Sequence, residues 1–292
     1  MIGRVALAGR WGWLHLVLLA LSFSPLVAGE SQQAQEPWKP ATRQWIETVA
    51  AGKRLKLVNP YGDIHVRFGG YENKVEIVAT IQRLEESLPG LTVTFRRDEA
   101  GLEATVGPQA PSGPAAPAAP GTSKPRDRAD LAVFVPKGVA LHARTEGGRM
   151  DIKGLESDLD AESVKGEIRI VKVKGRVQAR SESGEISTTL ETGATRESQE
   201  FSTRTGDISV HLWEDANLTA RIATSGEIST DFSLQVERNR FEEPGKHALA
   251  VIGKGGPELS LASKRGNIHL LWLPRHFKRD EAEKPAGEAP SK

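Results

Sequence analysis

From Lys53 onward, apolar residues alternate with polar ones: Leu55 and Leu57, Ile64 and Val66, Val75, Ile77 and Ala79, then the run LTVTF at Leu91 to Phe95. Period two places alternate side chains on one face, so each run predicts a strand with one buried side. The alternation stops in GPQAPSGPAAPAAPGTSKPRDR, Gly107 to Arg128, where Pro, Ala and Gly leave no apolar period. That composition predicts a disordered insert between strands, with a proline-recognition ligand as a second reading. Alternation resumes with LAVFVPKGVALHA and continues to Leu273.

Within these runs a unit repeats. A glycine, one variable residue and an apolar β-former recur as Gly62-Asp63-Ile64, Gly166-Glu167-Ile168, Gly184-Glu185-Ile186, Gly206-Asp207-Ile208, Gly226-Glu227-Ile228 and Gly266-Asn267-Ile268, with a looser copy at Gly148-Arg149-Met150. From Gly148 to Gly226 the steps are 18, 18, 22 and 20 residues, and the last step, to Gly266, is 40. The long interval reads as two periods with one glycine motif missing. Before each glycine, at minus seven, five and three, stand sets such as Leu141, Ala143, Thr145 and Leu159, Ala161, Ser163. The Gly206 copy is weaker, with Gln199, Phe201 and Thr203, and the Gly226 copy is shifted by one.

Strand, glycine turn, strand is therefore the unit. Glycine is expected at the turn because it adopts positive φ freely, and β-branched Ile and Val after it are expected to fill a narrow interior. A unit of about 20 residues buries little alone, so copies must stack. Two all-β architectures satisfy this: a β-solenoid, like a single-stranded β-helix, with coils of about 20 residues, or an antiparallel β-sandwich of hairpins. The solenoid is favoured, because identical residue types at one point of every unit suit stacking in register. It would place Ile168, Ile186, Ile208 and Ile228 in one interior ladder, with Gly184 turning the chain and Glu185 in water.

The units LKLVNPYGDIHV, KVEIVATIQ and LAVFVPKGVALHARTEGGRMDIKG, the serial S-x-x-G-[DE]-I copies and the closing GKGGPELSLASKRGNIHLLWL together resemble the bacterial putative-adhesin domain family of unknown function, over roughly Lys53 to Leu273. The resemblance implies surface interaction and brings no catalytic residues.

Outside the repeats, the first 29 residues combine Arg4 and Arg10, an apolar run from Trp11 to Phe23, and small residues at Ala28 and Gly29. This order predicts a signal peptide over 1–29; an uncleaved anchor is the alternative, the stretch being nearly long enough for a hydrocarbon core of about 30 Å. The expected organisation then runs through a flexible lead at 30–52, a first β segment at 53–106, the insert at 107–128, solenoid repeats at 129–274 and a charged, disordered tail at 275–292. The chain has no cysteine, which excludes disulfides and thiolate metal sites. Without Arg4 and Arg10, 37 basic residues face 38 acidic ones, which argues against a nucleic-acid partner.

Candidate chemistry is sparse. Asp63, Glu167, Glu185, Asp207 and Glu227 follow glycines and could form an acidic row for divalent cations, but Arg149 and Asn267 break it, and solvated turn residues are the favoured reading. His65, His142, His211, His247 and His269 are scattered without a metal-ligand spacing or a local acidic partner. The serine-hydrolase elbow is absent, and Gly253-Lys254-Gly255-Gly256-Pro257 lacks the ending of a phosphate loop, so it reads as a turn into the last coil. Trp38, Trp45, Trp213 and Trp272 are expected to cap the ends of the core. No catalytic, cofactor-binding or metal residue is assigned. The expectation is an exported, non-catalytic, adhesin-like binding or scaffolding protein of the periplasm or cell surface, with an envelope protein or polysaccharide as partner. Self-association through the solenoid ends is a further expectation, and membrane contact is expected only through an uncleaved leader. The alternative is a polysaccharide-acting enzyme on the same scaffold.

Overall fold

The computed structural model describes residues 40–70, 72–83, 90–109, 127–190, 197–213 and 215–273. The expected signal segment, residues 110–126 of the insert and the C-terminal tail lie outside the described residues. The strands are β1 (Pro40–Thr48), β2 (Arg54–Asn59), β3 (Ile64–Phe68), β4 (Lys74–Gln82), β5 (Leu91–Arg97), β6 (Gly101–Pro108), β7 (Arg128–Val135), β8 (Ala140–Thr145), β9 (Met150–Lys153), β10 (Leu159–Ser163) and β11 (Ile168–Val171). They continue as β12 (Val177–Ser181), β13 (Ile186–Leu190), β14 (Gln199–Thr203), β15 (Ile208–Leu212), β16 (Leu218–Thr224), β17 (Ile228–Thr230), β18 (Gln235–Arg238), β19 (Lys246–Ile252), β20 (Glu258–Ser263) and β21 (Ile268–Trp272).

These strands form a β-solenoid of two facing sheets. Each coil contributes the strand before its glycine to an eleven-stranded sheet and the strand after it to a ten-stranded sheet. Neighbouring coils pair in parallel and in register: Leu159 lies opposite Leu141 and Val177, Ala161 opposite Ala143 and Ala179, and Ser163 opposite Thr145 and Ser181. That parallel register overturns the sandwich alternative, in which each unit would pair with itself as an antiparallel hairpin. The isoleucine ladder forms as expected with one insertion, running Ile168, Ile186, Ile208, Ile268, Ile228. Ile168, Ile186, Ile208 and Ile268 are fully buried, each such side chain contributing about 1.5–3 kcal/mol through the hydrophobic effect.

The order of coils in space departs from their order in the chain at both ends. The β20–β21 coil, last in sequence, lies between the β14–β15 and β16–β17 coils. The 40-residue interval is thus not two serial periods: after β17 the chain makes the antiparallel pair β18–β19 against β16, then returns to insert the Gly266 coil. At the other end β6 and β7 form a coil stacked outside β2 and β3. The segments at 53–106 and 129–274 therefore belong to one stack. Antiparallel β4 and β5 flank that coil, and β1 pairs with β4 over nine residues. Residues 40–48 of the expected flexible lead are consequently a strand; it is held by main-chain pairing, and its side chains are mostly exposed, so it shows no apolar alternation.

The glycine corner has a different cause from the one the sequence suggested. None of the seven motif glycines has positive φ. Instead, a Cβ at Gly148, Gly166, Gly184, Gly206, Gly226 or Gly266 would lie closer than 3.0 Å to the glycine carbonyl of the adjacent coil, inside the limit for real Cβ contacts. The residue must lack a side chain so that two coils can touch. Beneath the glycines runs a column of hydroxyls. The Gly184 amide donates to Ser181 Oγ at 2.8 Å, and the Gly206 amide donates to Thr203 Oγ1 at 3.1 Å. Ser263 accepts from the Gly266 amide at 2.9 Å and donates to the Gly206 carbonyl at 3.0 Å, binding its own corner to the next. The shifted copy follows the same rule with one residue fewer: Thr224 accepts from the Gly226 amide two residues on.

The weak copy is equally explicable. Gln199 occupies a leucine position yet is buried; its Oε1 accepts from the Val177 amide at 2.9 Å, and its Nε2 donates to the Gly175 carbonyl at 3.0 Å. In regular coils the corresponding amide bonds to backbone, as Leu159 does to the Arg176 carbonyl. The glutamine supplies the acceptor where the 22-residue step interrupts that pattern.

Replacing Gly184 with Ala should lower stability by at least about 1–3 kcal/mol, since a backbone carbonyl must move. In contrast Gly147→Ala, where an added Cβ meets nothing within 4 Å, should leave the melting temperature unchanged. Ser263→Ala should cost about 1–3 kcal/mol by stranding a buried amide, measured by denaturant unfolding.

Candidate binding groove on the ten-stranded sheet

Outward side chains of the eleven-stranded sheet are paired across coils. Lys56 meets Glu103 at 2.7 Å, His142 meets Asp160 at 2.9 Å, and Arg180 meets Glu200 at 3.4 Å. Arg144 lies 3.5 Å from Glu162, and Arg221 lies 3.1 Å from Glu258. Exposed pairs of this kind contribute about 0–1 kcal/mol each, and the face is a solvated charge ladder.

The opposite sheet differs over β11, β13 and β15. The outward residues of the central strand, Ser187 and Thr189, are short, while Arg169 on one side and His211 on the other are longer; Val171 and Ser209, the remaining outward neighbours, are no larger than the residues they face. Trp213 follows β15, and Leu273 follows β21. The result is a groove of about 480 Å³, with a hydroxyl floor, an aromatic flank and cationic Arg169 and Lys172 on the β11 side. Lys172 adopts φ of 57°, one of two non-glycine residues in the left-handed region among the described residues. Burial, and then the neighbouring His269, push the His211 imidazole below its ordinary pKa. Held neutral, the ring offers both a donor and an acceptor. Among the described residues the Arg169 side chain has no ion pair or hydrogen bond, nor has the Glu185 carboxylate; Glu167, beside them, is held by Arg149 at 2.6 Å.

The acidic row is interrupted, and its Asp63, Glu167 and Asp207 carboxylates have other partners. Its short members cap backbone: Asp63 Oδ1 accepts from the Arg149 amide at 2.8 Å, Asp207 Oδ1 from the Asn267 amide at 2.7 Å, and Asn267 Oδ1 from the Glu227 amide at 2.9 Å. Asn267 separates Asp207 from Glu227, and Arg128 lies 2.8 Å from Asp63. Glu185 faces water beside buried Gly184 and Ile186, as expected.

His142, in contrast, has an acidic partner that its local sequence conceals. Asp160 stands one 18-residue coil away and opposite it, so adding the coil step to each residue number would have found the pair. With Glu162 they form the one group of metal-type ligand atoms within 4.8 Å among the described residues. The hydrogen bond from His142, with help from its charge and from Arg180 and Arg176, holds the Asp160 carboxyl below its usual range. Arg144 lies against Glu162, and this basic setting marks an ion-pair ladder. His65 lies 4.0 Å from Asp151, whose carboxylate also binds Arg67, and His247 lies 4.0 Å from Glu242.

Gly253 to Pro257 forms the turn into β20, with Gly253 and Gly255 at positive φ and Asn217 Oδ1 accepting from the Lys254 amide. Trp45 packs edge-on against Phe95 at 5.5 Å at the end of the stack formed by β1 and β5, and Trp272 packs on Phe232 at 4.5 Å near the other. Those two cap the core as expected, whereas Trp213 lines the groove and Trp38 lies outside the described residues.

A family model described as Toastrack DUF4097 matches residues 126–271. The chain belongs to the Toastrack family. The match begins just before β7, so the β2–β3 coil comes from outside the matched residues although β3 lies between the matched strands β7 and β9. Among solved structures, the chain is similar to a putative cell adhesion protein from Clostridium sporogenes, at 13% identity and a TM-score of 0.45, over 80% of this chain and 100% of that one. It is also similar to a putative adhesin from Bacteroides fragilis, at 11% identity and a TM-score of 0.36, over 80% of this chain and 97% of that one. No curated protein matches the chain.

The His211 shift carries a pH signature. Its folded-state pKa lies below the unfolded value of about 6.5, so the unfolded chain takes up protons first, and stability falls as pH drops from about 6.5 through the lowered value. His211→Asn should reduce the loss of urea midpoint between pH 7.5 and pH 5, relative to the parent.

Proposed function

We propose that this Toastrack protein is a non-catalytic binding protein of adhesin type, working outside the cytoplasm in the periplasm or at the cell surface, and that the groove over β11, β13 and β15 is its binding site. The observation that carries this reading is the contrast between the two faces. One pairs most of its charges across coils, while the other leaves the half-buried side chains of Ser187, Thr189 and His211 without a hydrogen-bond partner among the described residues, around a concavity with the exposed Arg169 side chain at its mouth. Partly buried polar groups without partners favour a ligand that supplies them.

Several features support binding over hydrolysis. Glycoside cleavage requires a carboxyl kept protonated by its surroundings. Among the described residues, the carboxyls displaced from their ordinary pKa are Glu156, Asp160 and Glu243; all are displaced downward, by Lys174, His142 and Arg265 respectively. The basic, apolar and small-residue order of the first 29 residues supports export, and the absence of cysteine leaves the parallel ladders and the core to hold the domain. An envelope polysaccharide or protein is the partner this reading implies.

Immobilised chain from Glu30 onward should retain material from bacterial envelope fractions, and Thr189→Val with His211→Asn should release it. Over the same incubation no reducing ends should appear from a polysaccharide panel. Reducing-end formation that is lost in Glu185→Gln would make the protein a hydrolase instead.

A further inference from the structure

Resting on that reading of the groove, we propose that its ligand is an acidic glycan, a saccharide chain bearing carboxylates, and that Arg169 is the residue that reads the acid group. Two features of the floor decide the class. First, β11, β13 and β15 are each paired on both sides, so their amides and carbonyls are consumed within the sheet. An extended peptide joining by strand addition finds no free backbone there, and recognition falls to side chains. Second, those side chains are Ser187 and Thr189 hydroxyls and the neutral His211 imidazole, each able to donate and to accept. Sugar hydroxyls have the same dual character, whereas an apolar ligand would leave these groups unpaired at a cost.

The flank fits the same ligand. Trp213 offers an apolar face of the kind on which the C–H face of a sugar ring packs, with Val171 and Leu273 extending it. Equivalent positions on adjacent strands recur at about 4.8 Å, close to the length of one sugar residue. A polymer thus meets the row from Arg169 to Ser187 and Ser209 in step.

Charge selects the acid. Arg67, Arg128, Arg144, Arg149, Arg180, Arg221 and Arg265 are each matched with a carboxylate. Arg169 is unmatched, like Arg54, Arg176 and Arg204, and of the unmatched arginines it is the one that lines the groove, where the acid on its own turn, Glu167, is taken by Arg149. A free guanidinium fork at the mouth of a hydroxyl-lined groove is the partner for a carboxylate, which it binds through two parallel hydrogen bonds. Glu185, also unpaired, stands on the corner side of the same groove and weighs against a densely charged polyphosphate.

Polygalacturonate and its fully methyl-esterified form share a backbone and differ in the carboxylate, so they separate the two contributions. Titrated by calorimetry against the chain from Glu30 onward, polygalacturonate should bind about tenfold tighter than the ester. Arg169→Gln should remove that preference, weakening the acid form about tenfold and leaving the ester unchanged. Trp213→Ala should weaken both, and the near-isosteric Thr189→Val should do so with an unchanged melting temperature, which guards against a folding defect in the tryptophan variant. Equal binding of the two polymers by the parent would overturn the acid assignment and leave the groove standing as a binding site. Binding of either polymer that survives both Trp213→Ala and Thr189→Val would overturn the groove as its location. Failure of both polymers to bind while envelope material is still retained would overturn the glycan class, and a retained protein would then take its place.

Discussion

Coil-to-coil contact at the glycine corner is the constraint on which the rest of this structure depends. Because the α-carbon of one glycine faces the carbonyl of the next, no substituent fits, and every coil must present its corner at the same height. Fixed corners fix the register of both sheets. The register then places leucine over leucine, alanine over alanine and isoleucine over isoleucine. The hydroxyl column and the Asp63, Asp207 and Asn267 caps are secondary consequences: the tight corner turns amides inward or sideways, and short polar side chains from the same or the preceding coil receive them. Ser163 Oγ is the exception, buried without a partner.

Much of this was legible because stacking forces repetition. Any position that touches its own copy in the next coil is constrained to a small set of residue types, and the inward rows and corners are all of that kind. The outward rows are not, and there legibility ended. Arg169, Ser187, Ser209 and His269 share one row without one residue type running through it, so the groove appears only once Ser187 and Thr189 on β13 are seen between the long side chains of Arg169 and His211. The His142–Asp160 pair lies between these cases, hidden from local inspection yet recoverable from the coil step alone. A tight turn and a tight contact demand the same residue, so glycine alone does not say which of the two it serves; here it serves the contact.

The displaced coils were illegible for a sharper reason. The Gly266 unit carries every mark of a serial coil, with Leu259, Leu261 and Ser263 at their expected places, because its neighbours on both sides are ordinary coils. Signs of irregularity fall on the Gly226 unit instead, in its shortened corner and in the partial exposure of Ile228. A sequence records what a coil touches, not when in the chain its neighbour was made. The antiparallel strands beyond each displaced coil serve a related need, covering stacked edges that would otherwise template another chain.

The inserted coil also bears on how such a molecule changes over generations. Tandem duplication adds a coil wherever consecutive units are neighbours in space, and here that holds from β8–β9 to β14–β15. Beyond that stretch a new unit would separate the Gly206 and Gly266 coils, or the Gly266 and Gly226 coils, in a place the connecting chain must still reach. Length is therefore free to vary in the middle, where the groove spans the β11, β13 and β15 coils, and is closed to variation at the ends. Duplication would lengthen the binding face in single strand steps while both termini of the stack kept their form.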